Sequence, residues 1–190
     1  MDLKKYKQEL LNQLYEPYKA CNMCPLGKLG RKNIVLGEGN PDSKLIFIGE
    51  GPGQKEDDLR RPFIGRSGQL LTKVLEALGL SRKDIFITNV VKCRPPKNRK
   101  PLPDESKICT NLLLFKQIKI IRPKVICTLG SAATQTFFEK AIKITKIRGN
   151  IFEKNEIKII PTYHPAYILR NNRELKNFAN DIKLAKKLSS

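Results

Sequence analysis

Leu45-Ile46-Phe47-Ile48-Gly49-Glu50-Gly51-Pro52-Gly53 decides the fold: four apolar residues without alternation run straight into a turn rich in glycine and proline. A short unbroken apolar run fits a strand buried on both faces, and Gly with Pro ends it abruptly. Further apolar runs follow at residues 85–91 and 124–129. Helical spacing separates them, over 68–78 before the stop at Gly79 and over 105–121 before Pro123. After a helix near 131–140, residues 150–153 and 156–160 read as a hairpin whose second strand ends at Tyr163-His164-Pro165. A helix over 172–188 closes the chain. Another opens it over 2–20, where Leu3, Tyr6, Leu10, Leu14 and Tyr18 recur on one face. Buried strands alternating with helices predict an α/β fold with a parallel sheet covered on both sides.

In such a sheet, function gathers beyond the carboxyl ends of the strands. Three features fall there: the glycine turn, Asn89 late in the second run, and His164 after the last. Each has a plainer reading. The turn can be a tight strand exit, Asn89 a capping residue, and a lone histidine before proline a strand terminator. A nucleotide cradle fits the turn poorly. Gly49 to Gly53 is not G-x-G-x-x-G, Pro52 removes an amide from any phosphate nest, and no Lys-Ser/Thr follows.

Cys21-Asn22-Met23-Cys24 is a C-x-x-C, and Cys93 and Cys109 lie far along the chain. A close pair with two distant partners can converge on one metal centre, and spacing alone does not separate zinc from an iron–sulfur cluster. Cys127 sits inside an apolar run and reads as core. The start Met1-Asp2-Leu3-Lys4-Lys5 has no apolar signal segment, and no stretch approaches the roughly 18 apolar residues of a membrane span. A cytoplasmic, reducing compartment without a membrane partner is therefore expected, where clustered cysteines hold metal more often than they cross-link. With 190 residues, 40% of them apolar, and no linker or repeat, one domain over 1–190 is the default. Lys plus Arg number 37 against 18 Asp plus Glu, a net charge of +19, so the expected partner is a polyanion.

Five motifs in register carry a resemblance: the C-x-x-C, GEGPGQKED (49–57), RPFIGRSGQLL (61–71), ITNVVKCRPPKNRKPLPDE (87–105) and HPAYIL (164–169). Together they resemble the family 4 uracil-DNA glycosylases, the iron–sulfur branch of that superfamily. The resemblance implies a three-layer α/β/α sandwich around a central four-stranded parallel sheet. It also implies a structural [4Fe-4S] cluster held by Cys21, Cys24, Cys93 and Cys109, pinning the first helix and the basic loop 94–104 to the body. Uracil-containing DNA becomes the expected substrate. A monomer is expected, with a sliding clamp or other repair proteins left open as partners.

The residues suit that chemistry. Phe63 can stack on a flipped base. Asn89 has an amide that can accept from uracil N3–H while donating to O4, a pattern cytosine inverts. His164 can donate to uracil O2 as negative charge builds on the leaving base. The resemblance assigns the same roles to these three. Related enzymes carry Asp or Asn where this chain has Gly51, so Glu50 is the nearest candidate carboxylate. The Gly51-Pro52-Gly53 turn would let backbone approach base or water closely. Ile168 or Leu169, behind a rigid proline and before Arg170, is expected to wedge into the space the base vacates, unless the segment packs down as core. Two other readings compete: a protein that traps uracil-DNA without turnover, and a non-catalytic DNA-associated metal protein. A related branch forms a covalent adduct through a histidine on an added basic loop, and Arg60-Arg61-Pro62-Phe63 contains none.

Overall fold

The computed structural model describes residues 2–138 and 142–190, so the last part of the helix expected near 131–140 lies outside the described residues. The strands are β1 (Glu38–Gly39), β2 (Leu45–Gly49), β3 (Phe86–Asn89), β4 (Val125–Leu129), β5 (Phe152–Lys154) and β6 (Ile157–Thr162). The helices are α1 (Leu3–Tyr15), α2 (Gln54–Leu59), α3 (Arg66–Ala77), α4 (Pro103–Cys109), α5 (Phe115–Ile121), α6 (Ser131–Gln135), α7 (Ile144–Ile147), α8 (Pro165–Ile168) and α9 (Leu175–Ser189).

One mixed sheet runs β1-β3-β2-β4-β6-β5. Its centre, β3-β2-β4-β6, is parallel, as the apolar runs predict. The expected four strands become six because an antiparallel strand is added at each edge. β1 is two residues long and flanked by glycine, too short to carry any periodicity. β5 is the first arm of the expected hairpin. Asn155 and Glu156 at its tip both have positive φ, 50° and 63°, the conformation that lets a two-residue loop follow the strand twist.

Side chains alternate across the sheet and build two cores. Ile46, Ile48 and Ile126 face Leu11 of α1, Ile118 and Ile121 of α5, and the buried Cys93 and Cys109. Leu45, Phe47, Val125, Cys127 and Leu129 face Leu71 and Leu75 of α3 and Phe178 and Ile182 of α9. The result is the expected three-layer α/β/α sandwich. Cys127 is fully buried in β4, as its apolar neighbours predict. The helix expected over 105–121 is interrupted: α4 ends at Cys109, and a π turn over Thr110–Leu114 leads into α5. No described helix is long and apolar enough to cross a membrane.

Candidate active site

The loops after β2, β3, β4 and β6 enclose a cleft of about 740 Å³. Chain order reverses here, since β2 lies between β3 on one side and β4 on the other. That crevice is where open α/β sheets bind ligands. Glu50, Gly51, Gly53, Phe63, Asn89 and His164 all line it, so residues spread over more than 110 positions meet in one cavity.

Asn89 ends β3 directly beside Gly49 of β2. It is 1% exposed, and its Oδ1 has no hydrogen-bond partner among the described residues. An acceptor left unpaired in the interior is costly unless something occupies it in the working state. Gly49 makes the space: a Cβ there would stand 2.3 Å from Phe63 Cζ and 2.5 Å from Asn89 Oδ1. Any other residue would fill the gap between ring and amide. Gly51 has a similar constraint, since its Cβ would meet Val91 Cγ2 at 2.8 Å.

Phe63 is buried and adopts φ +52°, a conformation that bulky residues rarely hold. Its loop is clamped from both sides. Glu56, itself 8% exposed, accepts from the Ile64 and Gly65 amides at 2.9 and 2.7 Å. Arg82 donates to the Phe63 carbonyl at 3.0 Å and the Pro62 carbonyl at 2.7 Å, and pairs with Glu38. These interactions over-determine the strained residue and hold its ring 5.8 Å from that of His164, tilted by 37°.

His164 caps α8, and its Nδ1 accepts the Ala166 amide at 3.1 Å. With Nδ1 an acceptor, the proton of the neutral ring sits on Nε2. Burial first and Arg170 second, against the opposing pull of Glu56, bring the imidazole pKa down to about 4. The ring is thus a neutral N–H donor at physiological pH. Burial also raises the Glu50 carboxyl above its usual range, with Lys100 working against it. Arg99, Lys100 and Arg170 stand on the cleft wall. Arg99 is held by Glu105 through two contacts at 2.7 and 2.8 Å, which stiffens the basic loop.

The two expected wedge residues part company. Ile168 is 1% exposed and belongs to the core beside Phe178, so it is corrected to a packing residue: the single turn of α8 rotates it inward. Leu169, one position on, is 45% exposed next to the cleft.

Cys21, Cys24, Cys93 and Cys109 wall one separate cavity, together with Lys92 and apolar side chains. All four are free thiols. Burial pushes Cys93 up to about 12, opposed by Arg31 and reinforced by the other three cysteines, so the four lie within each other's electrostatic reach. Among the described residues no three His, Cys, Asp or Glu side chains are grouped closely enough to hold a single metal ion.

Sequence reasoning placed Gly49 in the turn without its packing constraint, and missed Arg82, the clamp made by Glu56 and the burial of Lys92. Glu56 carried no local signal, because the amides it accepts from lie 8 and 9 residues further along the chain. Arg82 carried none, because its partners lie 10 to 44 residues away.

A family model described as the uracil DNA glycosylase superfamily matches residues 36–188, and the chain belongs to that superfamily. Type-4 uracil-DNA glycosylase of Thermotoga maritima is 48% identical over 184 residues, 95% of each chain. Proteins of the same name from Sulfurisphaera tokodaii and Saccharolobus solfataricus are 44% and 43% identical, over 94% and 95% of this chain and 84% and 87% of theirs. Within the superfamily its place is the type-4 branch.

Proposed function

We propose that this chain is a DNA repair enzyme that flips uracil out of DNA and hydrolyses its N-glycosidic bond, releasing free uracil and leaving an abasic site. The observation that carries this reading is the buried, unpartnered Asn89 Oδ1, facing a cleft that also holds an aromatic ring and a neutral histidine. Uracil N3–H supplies the missing donor, and the amide's own N–H meets O4. Phe63 stacks on the ring. As the bond from C1′ to N1 breaks, its electron pair moves onto the base, and the His164 Nε2–H stabilises the charge growing at O2. A neutral donor keeps its proton while the base departs as an anion. Water adds its oxygen to C1′, and the proton it gives up passes through solvent to the departed uracil anion, which leaves as neutral uracil. Glu50 is the carboxylate we assign to the positively charged sugar. Leu169 is the wedge, and the basic walls meet the DNA phosphates.

The direct test is incubation of purified protein with a uracil-containing oligonucleotide, followed by alkali. Strand breaks at uracil, and none at cytosine, are expected. A folded protein that retains the DNA without producing breaks would replace this reading with the trapping one.

We also propose that the four clustered cysteines hold a [4Fe-4S] cluster. The support for a shared centre is that four thiols spread over 89 positions of the chain wall one cavity. Arg31 and Lys92 lie nearby as positive charge for the anionic thiolates. Such a cluster would fasten the end of the N-terminal helical segment and both ends of the loop 94–104. Protein purified without oxygen is expected to be brown, with about four irons per chain. Cys127→Ser should keep the colour, whereas Cys93→Ser should lose it and lower thermal stability. A colourless protein with one zinc overturns the assignment.

A further inference from the structure

Lys92 is an odd residue to find in the interior. It is 0% exposed, no carboxylate pairs with it among the described residues, and burying an ammonium is costly unless charge and hydrogen bonds compensate. All three of its N–H donors have acceptors: Thr88 Oγ1 at 2.6 Å, the Asn89 carbonyl at 2.7 Å and Gln117 Oε1 at 2.7 Å. Gln117, also fully buried, spends its amide on Tyr15 Oη and the Leu36 carbonyl, both at 2.6 Å. Thr88 Oγ1 donates to the same Leu36 carbonyl at 2.9 Å.

These residues lie on the segments that carry the cysteines. Tyr15 ends the helix that leads to Cys21 and Cys24, Lys92 precedes Cys93, and Gln117 lies on the helix that continues from Cys109. Lys92 also lines the cysteine cavity. The cysteines gather the three segments on one side, and Lys92 gathers them on the other, with its ammonium on the carbonyl of Asn89.

We infer that Lys92 is a positioning residue for base recognition: it fixes the backbone of Asn89, and so the aim of its amide, against the cysteine-bearing segments. The inference rests on the reading of Asn89 as the group that grips uracil. It accounts for a buried cation placed where an apolar side chain would pack more cheaply.

The test uses Lys92→Met, Asn89→Ala and the double variant, each assayed for iron content, thermal midpoint, single-turnover uracil excision and inhibition by free uracil. Lys92→Met is expected to keep its iron, lose roughly 10–100-fold in excision as misplaced recognition groups do, and respond less to free uracil. In the Asn89→Ala background the same change should cost less than about twofold, because a residue acting through another has no effect once that one is gone. Equal losses in both backgrounds, or native excision by folded Lys92→Met, overturn the inference. If Lys92→Met does not fold or load iron, Thr88→Val removes one acceptor while keeping shape, and the same masked pattern at smaller size is expected. Native excision and native uracil inhibition by Thr88→Val overturn it equally. Native excision by Asn89→Ala removes the reading of Asn89 itself, whereas an inactive Asn89→Ala with fully additive Lys92→Met removes only the role of Lys92.

Discussion

His164→Ala should lower single-turnover uracil excision by about 10²–10³-fold, the usual loss for one donor aimed at a developing anion. The Nε2–H is useful because Nδ1 is already engaged by the Ala166 amide, which fixes both tautomer and ring orientation. Ground-state DNA affinity should change far less, since the +19 net charge makes phosphate contacts the main source of binding. A histidine that merely ended β6 would give the opposite order: an unchanged rate in folded protein, or a loss matched by lost stability. Excision, DNA affinity and thermal midpoint measured on one preparation separate these outcomes.

The pH dependence follows from the same ring. In the native protein His164 takes up a proton only near pH 4, while in the unfolded chain it does so near 6.5. Above 6.5 it is neutral in both states and contributes no slope. Between 6.5 and 4 the unfolded state binds more protons, so this residue's contribution to stability falls as pH drops, and it levels off below 4. His164→Ala should therefore lose less stability than the parent protein between pH 7 and pH 4. Excision by the parent protein should show no step at 6.5 from this residue.

The parallel centre of the sheet was legible because strands buried on both faces leave continuous apolar runs, and three such runs are visible without any knowledge of contacts. Gly49, Asn89 and His164 were approachable for a related reason: strand ends in a parallel sheet share one edge, so residues distant in sequence are placed together by topology alone. What supports them was not legible. Phe63 owes its positive φ to Arg82 and Glu56, and Asn89 its anchorage to Lys92 and Gln117; these bonds depend on packing between segments and leave no local period. Ile168 shows the converse error. Its composition suits a wedge, but the roughly 100° of helical rotation between neighbours sends it into the core and leaves Leu169 outside.

Asn89→Asp is expected to reduce uracil excision at neutral pH by at least about 10²-fold, because a site built on paired hydrogen bonds discriminates strongly once one is reversed. The ionised carboxylate accepts only. It can take N3–H but offers nothing to O4, and it sets a negative charge against a base that is becoming an anion. Cytosine carries an amine at the corresponding edge, so the variant should admit a little cytosine excision that the parent protein lacks. Acidification supplies a second signature. Protonation turns the new carboxyl into one donor and one acceptor, the same pair the amide provided, so uracil excision should partly recover as pH falls, while a misfolded variant would only decline. Asn89→Asp that excises uracil at the native rate at neutral pH would falsify the role assigned to this side chain, and with it the meaning given to its unpaired Oδ1.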